Sequence, residues 1–177
     1  MKKLLLLIAG LTLSAGATTY NNLSAALKQV LPAGQKAFKT KVVLTAAQAK
    51  TLNGFGDGDF LADDPIDVYY TKDATGKVSG AAIQVMEVLK RWKSYHTWVI
   101  GVAPDGKLTG VAMMDLPDHY GQPLASAGFL KQFPGKPAAT LTLGKDFDAV
   151  SSATESCRLL TSSIKRAAWL AANVPLK

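Results

Sequence analysis

Cysteine is almost absent: the 177-residue chain has one, Cys157. A single thiol forms no intrachain disulfide, so the fold must be held by its core. The shortage also removes cysteine-rich zinc and iron–sulfur sites, and there is no C-x-x-C-H signature of attached haem. Histidine is scarce too. His96 and His119 are the two present, and neither has an acidic partner at metal-ligand spacing, so no metal is expected. Acidic residues are outnumbered, 13 against 20 basic, for a formal net charge of +7. The basic residues are dispersed, and their one short cluster, Lys90-Arg91-Trp92-Lys93, has the character of a solvated face. No nucleic-acid partner is expected. A mild preference for acidic partners or anionic head groups is compatible with the charge.

Long apolar runs are missing except at the start. Lys2 and Lys3 precede Leu4 to Leu13, a run broken by Gly10 and Thr12 and followed by Ser14-Ala15-Gly16-Ala17. That order is the order of a secretory signal peptide, with cleavage after Ala17. The run is short for a bilayer span. No cysteine stands at the cleavage site, so a lipid anchor there is not expected. The expected location is outside the cytoplasm, either periplasmic or extracellular, with at most a peripheral place at the membrane. Taking 17 residues from 177 leaves 160, which suits one domain with one core. Loss of Lys2 and Lys3 leaves 18 basic residues against 13 acidic, a net +5.

Along the chain, Leu23, Ala26, Leu27, Val30 and Leu31 recur at helical spacing and stop at Pro32. Phe38 to Leu44 alternates like a half-buried strand. Thr45 and Gln48 have capping-box spacing and open a second helix to about Asn53. The loop from Gly54 to Asp64 carries Asp57, Asp59, Asp63 and Asp64. It fails the calcium-loop pattern, because Ala62 and Val68 stand where glycine and glutamate are needed. We read it as a solvated turn.

From Ile66 the pattern becomes β. Strands are expected at 66–70, 78–88, 97–102 and 108–114, with turns at Asp73-Ala74-Thr75-Gly76-Lys77 and Pro104-Asp105-Gly106-Lys107. A helical turn follows near Phe129-Leu130-Lys131, then a short strand at Thr140–Leu143, then a helix from about Ser152 to Asn173. The fold class is α+β: an antiparallel curved sheet with a long C-terminal helix and short N-terminal helices. We divide the chain into a signal peptide at 1–17, a helical and extended segment at 18–65, and the main body of the same domain at 66–177.

The chemically informative stretch is Asp148-Ala149-Val150-Ser151-Ser152-Ala153-Thr154, where the chain enters its last helix. Small and hydroxyl residues at a helix start offer unpaired N–H groups and the positive end of the helix dipole, which suit a phosphate. The simpler reading is that Ser151 or Ser152 caps the helix and Asp148 adds an N-terminal charge. The residues alone leave both open.

The stretch resembles the flavinylation motif of the FMN-binding domain family, D-x-x-[S/T]-[G/S]-A-T, with Asp148, Ser151, Ala153 and Thr154 in register and Ser152 where glycine is commoner. That family includes periplasmic subunits of Rnf and sodium-pumping NADH:quinone oxidoreductase complexes. The resemblance extends to His96 through Val102 with Pro104-Asp105-Gly106-Lys107, to Asp118-His119-Tyr120-Gly121, and to Phe129-Leu130-Lys131-Gln132-Phe133-Pro134-Gly135-Lys136. His119 stands where the family often has proline, and Pro123 where an acid is common.

The resemblance implies FMN esterified through its phosphate to Thr154, with Asp148, Ser151, Ser152 and Ala153 around the attachment and Asp118, Tyr120 and Gly121 beside the flavin. It implies a magnesium-dependent flavin transferase as one partner, drawing FMN from FAD. The other partner would be a membrane electron-transfer complex or an extracytoplasmic reductase. The chain is then expected to be a monomeric electron carrier without a substrate of its own, since no acid/base pair or activated nucleophile is in evidence. Two alternatives are a secreted module holding a flavin or another phosphorylated ligand noncovalently, and the flavin subunit of a reductase. Ser156 and Thr161 are further hydroxyls outside the motif. Cys157 is expected to pack as a small apolar residue. Trp92, Tyr95 and Trp98 either shield a flavin or belong to the core.

Overall fold

The computed structural model describes residues 18–56, 62, 63, 65–89, 94–116 and 121–176. The signal segment, the tip Lys90 to Lys93, and Asp118, His119 and Tyr120 lie outside them, as do Asp57, Asp59 and Asp64 of the acidic loop.

Strand β1 (Thr18–Thr19) is followed by α1 (Leu23–Val30), β2 (Ala37–Val43), α2 (Ala46–Asn53) and β3 (Pro65–Lys72). Next come β4 (Val78–Leu89), β5 (Ser94–Val102), β6 (Leu108–Leu116), a 3-10 turn (Gln122–Ala125), α3 (Ala127–Leu130) and α4 (Thr154–Asn173). The six strands form one antiparallel sheet in the order β1-β6-β5-β4-β3-β2. The architecture is α+β. From β2 to β6 each strand pairs with its successor in sequence; α2 lies in the connection from β2 to β3, and short turns join β3 to β4 and β5 to β6.

Local chemistry explains the boundaries. The Asn22 side chain accepts from Ala25 N at the start of α1, and Pro32 follows the C-cap Leu31. Thr45 and Gln48 form the capping box of α2, each side chain accepting from the other residue's backbone N–H. In the β3–β4 turn, one Asp73 oxygen accepts from the backbone of Thr75 and Lys77. Gly101 marks a close approach: a Cβ there would sit 2.6 Å from Val30 O, so the end of α1 rests directly on β5.

The sheet separates two apolar layers. On one face α1 brings Ala26, Val30 and Leu31 against Tyr69, Ala82, Val99 and Ala112. On the other, α4 brings Cys157, Leu160, Ile164 and Ala167 against Val68, Ile83, Val85, Trp98 and Ile100. Alternate residues of β4 and β5 serve the two layers, as the period of a strand requires.

Two expectations are corrected. Thr140–Leu143 is not a strand; its one ladder contact is an isolated bridge from Leu143 to Phe147. The alternation of apolar and polar residues suggested pairing, but Asp146 Oδ2 takes the Thr142 N–H at 2.7 Å, and Thr142 O accepts from Asp146 N at 2.9 Å. The segment thus satisfies its own backbone in a tight turn. The last helix begins at Thr154, two residues after the predicted start. Ser152 has φ +73°, a left-handed conformation that cannot belong to the helix.

Candidate functional site

The approach to α4 is fixed from below. Phe147 is buried between Phe129 and Phe133, with ring centroids 6.1 and 5.0 Å away. One residue later, Gln132 Oε1 accepts the Asp148 N–H at 2.8 Å. The segment 129–133, whose helical turn is expected from the sequence, thereby carries the anchor of the helix approach.

Between Asp148 and the helix the chain turns sharply. Ala153 N donates to Val150 O at 3.0 Å, closing a four-residue turn with left-handed Ser152 at its third position. That is the position where a type II turn favours glycine. A serine there costs of order 1–3 kcal/mol in backbone conformation, an outlier of a kind that clusters at functional sites. Ser151, Ser152 and Thr154 are exposed while Ala153 is buried. Ala153 pins the turn to the core and leaves the hydroxyls outside.

Neither serine caps the helix. The N-cap is Ala153, and no side chain accepts a hydrogen bond there. The first intrahelical donor is Cys157 N, to Ala153 O at 3.0 Å, so the N–H groups of Thr154, Glu155 and Ser156 have no partner within the helix. The simpler capping reading is therefore replaced by an uncapped helix start with an exposed hydroxyl at its first residue.

Charge at this end is balanced locally. Glu155 lies in the first turn and pairs with Arg158 at 2.5 Å. Arg158 stands four residues from Thr154, on the same side of the helix. Asp148 is exposed.

The other candidate hydroxyls are engaged in hydrogen bonds. Ser156 is buried, with its Oγ 3.2 Å from His96 Nε2. Thr161 donates to Cys157 O at 2.8 Å. Cys157 is wholly buried, and burial pushes its thiol up against a smaller opposing pull from the Val150 backbone. Packing, not reactivity, is its role.

The remaining predicted residues scatter. Gly121 is buried and precedes the 3-10 turn, its carbonyl accepting from Leu124 N at 2.9 Å. Asp118 and Tyr120 fall outside the described residues. Trp98 is fully buried in the core beneath α4, while Tyr95 is 44% exposed. Since Tyr95 and His96 are consecutive on β5, they point to opposite faces. An apolar groove of about 830 Å³, lined by Leu23, Leu27, Leu31 and Pro32, lies at α1 on the face away from α4. Among the described residues no cluster of His, Cys, Asp and Glu could hold a metal ion.

The links that sequence reasoning missed are Gln132 to Asp148 and His96 to Ser156. They join residues 16 and 60 positions apart, and no local pattern announces either.

No protein-family model matches the chain, and no curated protein matches it. Among solved structures it is similar to NqrC of Shewanella oneidensis, at 16% identity over 82% of this chain and 70% of that one, with a TM-score of 0.48. A likeness at that level leaves function open.

Proposed function

We propose that this protein is an exported electron-transfer flavoprotein that carries FMN covalently on Thr154. The observation that carries the reading is an exposed threonine hydroxyl on the first residue of an uncapped α4, placed at the last position of a D-x-x-S-S-A-T sequence. The residues fit a phosphoester there. Three backbone N–H groups without helical partners and the positive helix end favour the phosphate oxygens. Ser152 in the left-handed region opens the turn in front of them. Arg158 is within helical reach of the same phosphate.

Attachment forms one bond and breaks one. Thr154 Oγ1 attacks the phosphorus of FAD that belongs to its FMN half, AMP departs, and the hydroxyl proton is lost to a base of the transferase. Asp148, exposed and fixed through its N–H by Gln132, is positioned to be read by that enzyme or to orient the hydroxyl. Bound there, the isoalloxazine supplies the electron chemistry, while the protein supplies its placement and electrostatics. In this reading Asp118, Tyr120 and Gly121 flank the ring. The partners are the transferase and a membrane electron-transfer complex or reductase outside the cytoplasm, reached after removal of residues 1–17.

The test is co-expression with a flavin transferase, followed by denaturing electrophoresis. The wild-type band should fluoresce as a flavin and the Thr154→Ala band should not. A fluorescent Thr154→Ala band would move the attachment elsewhere. Flavin that is present in the native protein but lost on denaturation would favour the noncovalent module.

A further inference from the structure

An apolar helix face sets how far a helix sits from a sheet, but polar ties decide where along the sheet it stops. α4 carries three buried polar residues, Ser156, Ser163 and Arg166. The Ser163 hydroxyl is shared between Leu159 O at 2.9 Å and Glu87 at 3.2 Å, and Arg166 pairs with the same carboxylate while donating to Leu52 O at 3.0 Å. His96 stands directly opposite Glu87 across β4 and β5, so the two side chains share the face beneath α4. Ser163 and Arg166 tie Glu87 to the middle of the helix. His96 reaches its first turn, through Ser156.

We infer that His96 is the positioning residue of the attachment turn. Through Ser156 it pins the start of α4 and so fixes where Thr154 Oγ1 and the free N–H groups point. The use of that positioning rests on the flavin reading; the geometry does not. A first turn is the part of a helix that opens most readily. Here no side chain caps it, and the residue two before it holds a costly conformation. Burial of Ala153 and Cys157 supports it from within the core, and the polar tie comes from the sheet. His96 is fully buried, and the Trp98 ring packs against its ring at 5.6 Å, so the imidazole is held in place. Removing its nitrogen leaves the buried Ser156 hydroxyl without that partner, a change that shifts a local opening equilibrium by about tenfold.

The experiment uses the full chain in three variants. His96→Phe keeps a ring without a nitrogen, His96→Gln restores a polar nitrogen, and Ser156→Ala removes the partner. Amide exchange is measured on the flavin-free chain, and initial loading rate with FAD and transferase. We expect His96→Phe to speed exchange at Cys157, whose N–H closes the first turn onto Ala153 O, by about tenfold relative to amides from Leu160 to Leu170, and to slow loading by a similar factor. His96→Gln should recover most of both. Ser156→Ala should reproduce the effect, and the double variant should add nothing to it.

Wild-type exchange and loading in both His96→Phe and Ser156→Ala would overturn the inference. So would exchange that rises equally along all of α4, which would make His96 a support of the whole helix. If His96→Phe does not fold, Ser156→Ala makes the same comparison. If wild type takes no flavin from an active transferase, the flavin reading falls and the exchange data still decide the role of His96.

Discussion

Gln132 Oε1 accepts the Asp148 N–H at 2.8 Å, and this single bond ties the α3 region to the approach of α4. With Phe147 held by its neighbouring rings, the exposed Ala149, Ser151 and Ser152 lie between that anchor and buried Ala153, with Val150 packed partly against the core. Gln132→Ala should lower stability by about 1 kcal/mol and slow covalent loading. Denaturant titration and a loading time course check it. Unchanged values in both would make the bond incidental.

Ser152→Gly should stabilise the protein. Relief of the left-handed serine at φ +73° outweighs the added freedom of the unfolded chain, for a net gain of about 0.5–1 kcal/mol. The midpoint of urea unfolding should rise with an unchanged slope. A lower midpoint would mean that the Ser152 hydroxyl makes a contact worth more than the strain.

Arg166→Met should be among the most destabilising single changes, at about 3–5 kcal/mol, because it removes the cation that pairs with the buried Glu87 carboxylate. Replacing Glu87 with Leu in the same chain should recover most of the loss. Chemical denaturation of the two single variants and the double variant measures the coupling.

The hairpin turns should weaken in acid. Hydrogen bonding from the Thr75 hydroxyl holds the Asp73 carboxyl below its ordinary 3.8, and Lys107 does the same for Asp105. A depressed folded pKa means that the contribution is complete above 3.8 and is lost as pH falls through the folded value. The difference in melting temperature between wild type and Asp73→Ala should therefore shrink on going from neutral pH to about pH 2. A constant difference would assign the effect of Asp73 to its shape alone.

The sequence made the locally determined parts legible. The capping box of Thr45 and Gln48 lies within four residues, and α2 ends at Asn53 as expected. The β-turns at Asp73 and Asp105 are set by their own carboxylates. Thr140–Leu143 misled because alternation marks a strand only where a neighbouring edge is free, and here the Asp146 carboxylate claims the backbone first. The start of α4 was misplaced because its serines suggest caps, while Ser152 is driven into the left-handed turn from Val150 to Ala153. The placement of Thr154 at a helix start was legible. What supports that start was not, since His96 and Gln132 reach it only through the folded sheet and α3 region.

The mass of the mature protein, purified from a host that contains the flavin transferase, tests the central claim most directly. The account predicts a mass equal to residues 18–177 plus FMN less one water, with the whole increment on the peptide containing Thr154. An unmodified mass under those conditions, or an increment on a peptide without Thr154, would contradict it.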